Sequence, residues 1–394
     1  MSIVLIPTAL RKSKAFEPSG YLVVYDTDKH EIIQRTEIIE PPYRNVDPNP
    51  RGGYRGLKGI SFLGNRVTVA NASTIFIYDE TWQPINYFFH PTCAGFHDIL
   101  LTDEGVWVTS ARTDILALLD FNGEIIKYFD LRSNDLINQY AKTPIQPILS
   151  DRAIRKGKYD YRNPLSHDSA ITDSLHVNSF AFLENGDLLI SCGLVRVISR
   201  YHFHKWNNQL KNTIFSGLLP WLYDTYQKLF VKENNKFEAT KITKEESYSL
   251  ILRFPPDGPL TESLILDHCV VPSHSIRILQ DKTAIYLDTS SGEILHFDPF
   301  TNKVFSRTKI GEHFLRGACQ LPDGTLLIGD NNILIHFDLS TLTVLSKVEF
   351  SEDPTEGVFD IKLLPDNFSL PPNSFVKLHE TKYPVHQTSR EKEK

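Results

Sequence analysis

At 394 residues, with 41% hydrophobic and 23% charged side chains, the chain has the make-up of a globular protein with a sizeable core. Its formal net charge of -6 speaks against a nucleic-acid partner, because nucleic-acid binders are basic overall. No run approaches the roughly 20 apolar residues of a spanning helix, so no membrane span is expected.

The chain opens with "SIVLIPT", "GYLVVYD" and "EIIQRTEII", three short strands without a fourth. The start "MSIVLIPTALRKSK" carries its charges after its apolar run, the reverse of a secretory signal. Cys93, Cys192, Cys269 and Cys319 form no CxxC pair and no zinc-like spacing, and they lie in or beside apolar strands. Buried free thiols and a cytoplasmic location are expected.

The next stretch, "LKGISFLGNRVTVANASTIFIYDETWQPINYFF" (57–89), holds four strands separated by turn residues. The same layout returns from "FHDILLTDEGVWVTSARTDILALLD" (96–120), in 274–310 and in 316–350. Tight turns between short strands make antiparallel meanders. A four-strand unit repeating at about 40 residues is the mark of a β-propeller. A further unit is split between "NSFAFLENGDLLISC" and "YSLILRFPPDGPLTESLILD", and "VFDIKLLPD" near the end is a lone strand. That strand completes the three at the start. The expected fold is all-β: a six-bladed β-propeller closed by N- and C-terminal strands in one blade. Residues 1–368 would form that single domain and 369–394 a loosely ordered tail.

Two insertions interrupt the period, 131–175 and 195–247, and the second contains "TIFSGLLPWLYDTYQKLF", apolar at helical spacing. Both belong to loop classes on the same face as the heads of the inner strands. They should stand over one mouth of the channel as lid-like loops, or, for the helical stretch of the second, as a surface helix covering a blade edge.

Aligned on their turns, five inner strands begin at Lys58, His97, Asn178, His274 and Arg316, and the sixth at Phe359. Asp98, Ser179, Ser275, Gly317 and Asp360 follow them, and His176 precedes Asn178 by two. Polar heads in common register point to one site. Loops on the same face carry Arg11, Lys12, Lys14, Arg44, Arg51, Arg55, Arg112, Arg152, Arg155, Lys156, Lys158 and Arg162. Such a mouth suits a small anionic molecule, although Asp47, Asp114, Asp151, Asp160 and Asp168 offer ordinary loop pairing instead.

The residues expected to act are His97 and His274 as proton carriers, Asp98 orienting His97, and Arg316 stabilising negative charge. Lys58, Asn178, His176, Arg55, Arg112 and Ser275 would hold the substrate. Hydrolysis, elimination, isomerisation and cyclisation all remain open, since no nucleophile or phosphate-loop motif is present. A divalent metal on His97, His176 and His274 is the secondary reading, opposed by the nearby Lys58 and Arg316. The alternative to an enzyme is a non-catalytic propeller that binds a protein or small molecule. Loop aromatics in "PPYRNVDP", "GKYDYRNP" and "LLPWLYDTY" suit that alternative.

The phrases "LHVNSFAFLENGDLLISCG", "PSHSIRILQDKTAIYLDTSSGEILHFD" and "FLRGACQLPDGTLLIG" resemble bacterial six-bladed propeller proteins of no assigned activity, as does "FHDILLTDEGVWVTS". The resemblance covers most of 57–345, with Ser273 standing as an extra residue between Pro272 and His274. More broadly the chain resembles the gluconolactonase, strictosidine-synthase and arylsulfotransferase-like propellers. The metal set of gluconolactonase-like sites (Glu, Asn, Asp) finds a counterpart only in Asn178.

Overall fold

A computed structural model describes residues 2–11, 19–37, 56–140, 150–163, 173–196, 247–255, 261–267, 269 and 271–373. The first three strands are β1 (Ile3–Leu10), β2 (Tyr21–Asp26) and β3 (Glu31–Glu37). Blade one is β4–β7 (Gly59–Leu63, Arg66–Ala70, Ile75–Asp79, Pro84–Phe88) and blade two β8–β11 (Ile99–Leu101, Val106–Ser110, Ile115–Leu119, Ile125–Asp130). Two short helices follow, α1 (Asp135–Tyr140) and α2 (Asp151–Arg155). Blade three is β12–β15 (Val177–Phe182, Leu188–Arg196, Ser247–Phe254, Thr261–Asp267). Blade four is β16–β19 (His274–Ile278, Ala284–Asp288, Glu293–Phe297, Val304–Lys309). Blade five is β20–β23 (Leu315–Gln320, Leu326–Asp330, Ile333–Asp338, Thr343–Glu349), and β24 (Glu356–Val358) and β25 (Lys362–Leu363) end the series.

Each of blades one to five is an antiparallel sheet paired in chain order, and the sixth joins β24 and β25 to β1–β2–β3. Blades are buried on both faces, so middle strands such as β9, β10 and β21 are buried at every position instead of alternating. The apolar core is six clusters, one in each gap between neighbouring blades. Leu5, Val24, Ile60 and Phe76 join blade six to blade one, and Ile77, Phe96 and Val108 join one to two. Leu116 meets Ile190 between two and three, and Ile251 meets Tyr286 between three and four. Ile285 meets Ile328 between four and five, and Leu327 meets Val4 and Val23 between five and six. The last cluster closes the ring.

Closure uses the expected termini, but the C-terminal strand is broken. Thr8 pairs with Val358 and Val4 with Leu363, while Phe359–Ile361 leaves the ladder between them. Phe359 N–H bonds to the Pro7 carbonyl, and the Asp360 carboxylate accepts Ile361 N–H. This break releases the Phe359 ring and the Asp360 carboxylate for the contacts described below.

The described parts of 131–175 are docked over blades one to three: Ile137 of α1 and Leu175 join the core between blades two and three. Ile154 of α2 enters the core between blades one and two, its carbonyl accepts from Thr92 Oγ1, and the Arg155 carbonyl bonds His90. Asp114, in the β9–β10 turn, accepts Ser174 and Leu175 N–H and forms a buried ion pair with Arg132 at 2.5 Å. The helical stretch in 195–247 lies outside the described residues, which resume at Ser247. Ser369 accepts Trp82 Nε1–H at 2.8 Å, and the carbonyls of Pro371 and Pro372 accept from Gln34 and Thr36. The chain from 374 onward lies outside the described residues. Among the described residues no helix is long and apolar enough to cross a membrane.

Candidate functional site

Adjacent residues on a strand project to opposite sides, and the strand heads divide their work accordingly. Serines at or just beyond three of the heads tie one blade to the next: Ser179 and Ser275 directly follow Asn178 and His274, and Ser61 lies three residues past Lys58. Ser61 Oγ accepts Leu101 N–H, Ser179 Oγ accepts Ile276 N–H, and Ser275 Oγ accepts Gly317 N–H. Ser275, expected to bind substrate, is therefore committed to the scaffold. It stands at φ 64° beside a register shift between His274 and Arg277. Such a bulge re-aims the preceding side chain.

Asp98 is likewise turned away from its expected partner. Its carboxylate accepts from Ser179 Oγ at 2.8 Å and pairs with Arg277 at 3.1 Å, while His97 Nδ1 bonds the Gly95 carbonyl at 2.6 Å. Gly95 O, not Asp98, orients His97. Arg277 also holds Asp360 at 2.6 Å, so one guanidinium links blades two, four and six across the channel. It lies three residues deeper than His274 on the same strand. Burial alone would lower the Arg277 pKa, but Asp98 and Asp360 overcome this and raise it.

Above this ion cluster stand three histidines. The His97 and His176 rings meet edge to face with centroids 4.6 Å apart, and the His97 and His274 rings are nearly parallel at 6.1 Å. His176 takes the place expected of Asn178. A register shift between Val177 and Ser179 displaces the head, and Asn178 is buried with its Nδ2 donating to the Ser273 carbonyl. Asn178 thus ties blades through its Nδ2, while its buried Oδ1 has no hydrogen-bond partner. His176 itself sits at φ 51°, a left-handed conformation that costs a non-glycine residue about 1–2 kcal/mol.

Every Nδ1 of the trio is engaged. Besides His97 on Gly95 O, His176 Nδ1 lies 3.0 Å from the Asp173 carboxylate and His274 Nδ1 3.0 Å from Thr289 Oγ1. Thr289 spends its own proton on the Leu315 carbonyl, so it accepts from His274. All three tautomers are thus set with the proton on Nδ1 and the lone pair on Nε2. One ring nitrogen from each histidine lies within 4.8 Å of the others. Burial first, then the charges of His176 and Arg316, hold the His97 pKa well below the ordinary histidine value. Burial, then Arg316 and His176, do the same to His274. Both rings are neutral near pH 7.

The cations gather on Phe359. The Arg316 guanidinium lies 3.1 Å and Lys58 Nζ 3.6 Å from the centroid of its ring. Arg11 stacks on Phe314 at 4.3 Å, and Phe314 in turn packs on His274 at 5.3 Å. Arg11, Arg316, Phe314 and Phe359 line a cavity of about 90 Å³. Arg316 is 7% exposed, and its buried Nη2 has no hydrogen-bond partner. Burial and then Arg11 act against its charge, opposed by Asp360 and Asp98. Arginine keeps its proton in proteins, so this unmet charge is a demand for an anion.

Other expected members fall elsewhere. Arg112 lies in the β9–β10 turn, with its N–H on the Ala94 carbonyl and its stem against Gly95. Arg55 lies outside the described residues, as do Lys12, Lys14, Arg44 and Arg51. Arg155 pairs with Asp151 and Arg162 with Asp160, so these loop charges are met locally. The positive charge facing the cavity comes from Arg11 and Arg316. Phe314, Thr289, Asp173 and Arg277 carried no sequence signal of their role, because each acts through a neighbour brought in from another part of the chain.

The fold and mouth together define a six-bladed β-propeller with a histidine- and arginine-lined channel opening. No protein-family model matches the chain, and no curated protein does so. Among solved structures it is similar to a protein of unknown function from Bacteroides caccae at 8% identity, covering 93% of this chain and 99% of that one (TM-score 0.48). A protein from Lactobacillus plantarum is similar at 9% identity, covering 93% and 100% (TM-score 0.45). Virginiamycin B lyase from Staphylococcus aureus is similar at 13% identity, covering 76% and 71% (TM-score 0.42). No activity is carried over from these likenesses.

Proposed function

We propose that this chain is an enzyme acting on a small anionic organic molecule, with the anionic group between Arg11 and Arg316 and the chemistry at the histidine trio. The observation that carries this reading is Arg316, which lines a cavity of about 90 Å³ together with Arg11 and has a buried Nη2 without a hydrogen-bond partner. Leaving a charged donor unsatisfied costs several kcal/mol, and a carboxylate, sulfate or phosphate oxygen would meet it. Such a cavity has room for one group of that size.

The trio supplies what a bare binding protein would not need: three imidazoles whose Nδ1 atoms are each hydrogen-bonded and of which one ring nitrogen each lies within 4.8 Å of the others. Ring nitrogens so placed activate a nucleophile or remove a proton beside the anion, while Arg316 stabilises negative charge as it develops. Hydrolysis, elimination, isomerisation and cyclisation all draw on that pairing. The free cysteines suit a reducing compartment such as the cytoplasm.

The test is calorimetric titration of chelator-treated protein with acetate, oxalate, sulfate and phosphate, followed by a turnover screen of organic esters and hydroxy acids bearing the group that binds best. Saturable binding is expected, weakened at least tenfold in Arg316→Lys because the planar fork is lost while the charge remains. Absence of anion binding would overturn the reading. Binding without turnover of any compound would instead assign the chain to propellers that only hold a ligand.

A further inference from the structure

We infer that His97, His176 and His274 form a three-histidine site for a divalent transition-metal ion, with zinc(II) and cobalt(II) as fitting probes. The inference shares its histidines with the functional reading above but does not depend on Arg11, Arg316 or any anion.

The argument rests on the three Nδ1 hydrogen bonds. A metal-binding histidine nearly always donates its other ring N–H to a carboxylate, carbonyl or hydroxyl, which sets the ring's orientation and frees one lone pair. Here Gly95 O, the Asp173 carboxylate and Thr289 Oγ1 do this for His97, His176 and His274 respectively. Three histidines serving only as packing would need no common tautomer. Moreover, the ligand atoms come from three consecutive blades and lie within 4.8 Å of one another. A tetrahedral site with Zn–N bonds of about 2.0–2.1 Å has N–N edges of roughly 3.3 Å. Modest rotation of the rings about their side-chain bonds closes that difference. His176 also holds its left-handed backbone conformation at a cost, and convergence on the other two rings is what that conformation achieves.

Imidazole ligands favour zinc, iron, nickel or copper over magnesium or calcium. A neutral three-histidine set leaves the ion's charge unmet and at least one coordination position open, the arrangement of a catalytic rather than a structural site. Lys58 and Arg316 oppose a cation, yet both are held against the Phe359 ring and not between the histidines. An anionic ligand in the open position offsets the combined charge. The ion would then activate water or polarise a bound group, taking over the role of a free imidazole base.

The experiment uses the full-length protein stripped with a chelator and titrated with cobalt(II) chloride, with and without excess sodium acetate. Visible absorption reports coordination, and calorimetry with zinc(II) reports stoichiometry. One ion per chain is expected, with the visible band of a four- or five-coordinate site in at least one of the two buffers. His97→Ala, His176→Ala and His274→Ala should each weaken binding at least 100-fold. Should those variants fold poorly, Asp173→Asn and Thr289→Val leave the ligands in place, and each should weaken binding about 10–100-fold by loosening a ring. Absence of one-to-one binding in both buffers would overturn the site, as would binding retained in the His97→Ala/His274→Ala double variant. Arg316→Leu should still bind metal, so failure of anion binding and failure of metal binding are read separately.

Discussion

Replacing Arg277 with methionine tests the ion cluster on which the histidine floor rests. Its side chain is 16% exposed and makes ion pairs with Asp98 at 3.1 Å and Asp360 at 2.6 Å. It also donates to the carbonyls of Ala318 and Ile276. Methionine fills much of the volume but leaves two buried carboxylates facing each other across the channel. Asp98 keeps Ser179 Oγ, whereas Asp360 keeps Lys362 at 3.7 Å as its ion-pair partner. Stranding a buried charge in this way costs about 3–5 kcal/mol. With an unfolding entropy of about 2.1 cal/mol/K per residue, that lowers the melting temperature by roughly 4–6 °C for a chain of this length. Urea unfolding at pH 7 would measure the loss.

A pH series adds a signature that simple misfit would lack. Burial works to raise the Asp360 pKa, but Lys362 and Arg277 outweigh it and hold it below the ordinary carboxylate value. A depressed carboxylate stabilises the fold above its unfolded pKa, and this is lost as pH falls through the folded value. Without Arg277 the Asp360 carboxylate protonates more readily, so the variant's deficit should shrink between pH 7 and pH 4. Adding Asp98→Asn and Asp360→Asn should recover most of the loss at pH 7. A loss below about 1 kcal/mol, or one indifferent to pH, would refute the reasoning.

Arg316→Leu should behave in the opposite way, leaving stability at pH 7 unchanged or raised by about 1–2 kcal/mol while abolishing anion binding, because it removes a buried donor that nothing satisfies. Urea unfolding and calorimetry on one sample would check both halves. Deleting residues 1–37 removes three strands of blade six and exposes the apolar faces of blades five and one. The truncated chain should lose its cooperative transition, and unchanged melting would contradict ring closure. Asp114→Ala should remove the buried ion pair with Arg132 and cost about 3–5 kcal/mol, with proteolysis within residues 131–175 accelerated, since Asp114 holds Arg132 at one end of that insertion and Ser174 and Leu175 at the other. Equal proteolysis rates in the two proteins would show the insertion to be held by other contacts.

The sequence by itself determined the architecture. Turn residues at regular spacing, such as Asp-Gly at 323–324 and Ser-Gly at 291–292, mark each hairpin through local backbone preference, which needs no tertiary information. The count of strands at the two termini likewise implied closure. Sequence register also brought His97, His274 and Arg316 to the same mouth, because strand heads in a repeated unit occupy equivalent places. Tertiary structure alone decided which way each side chain turns. A shift of one residue in a strand reverses its facing, and the bulges after Val177, His274 and Arg316 are such shifts. The first brought in His176 rather than Asn178, and the second made Ser275 an inter-blade tie beside Arg277, which takes Asp98. The partners that lock the imidazoles lie on loops whose positions depend on packing between blades. The break at Phe359, which gathers Lys58 and Arg316 on one ring, exists only where the two ends of the chain meet.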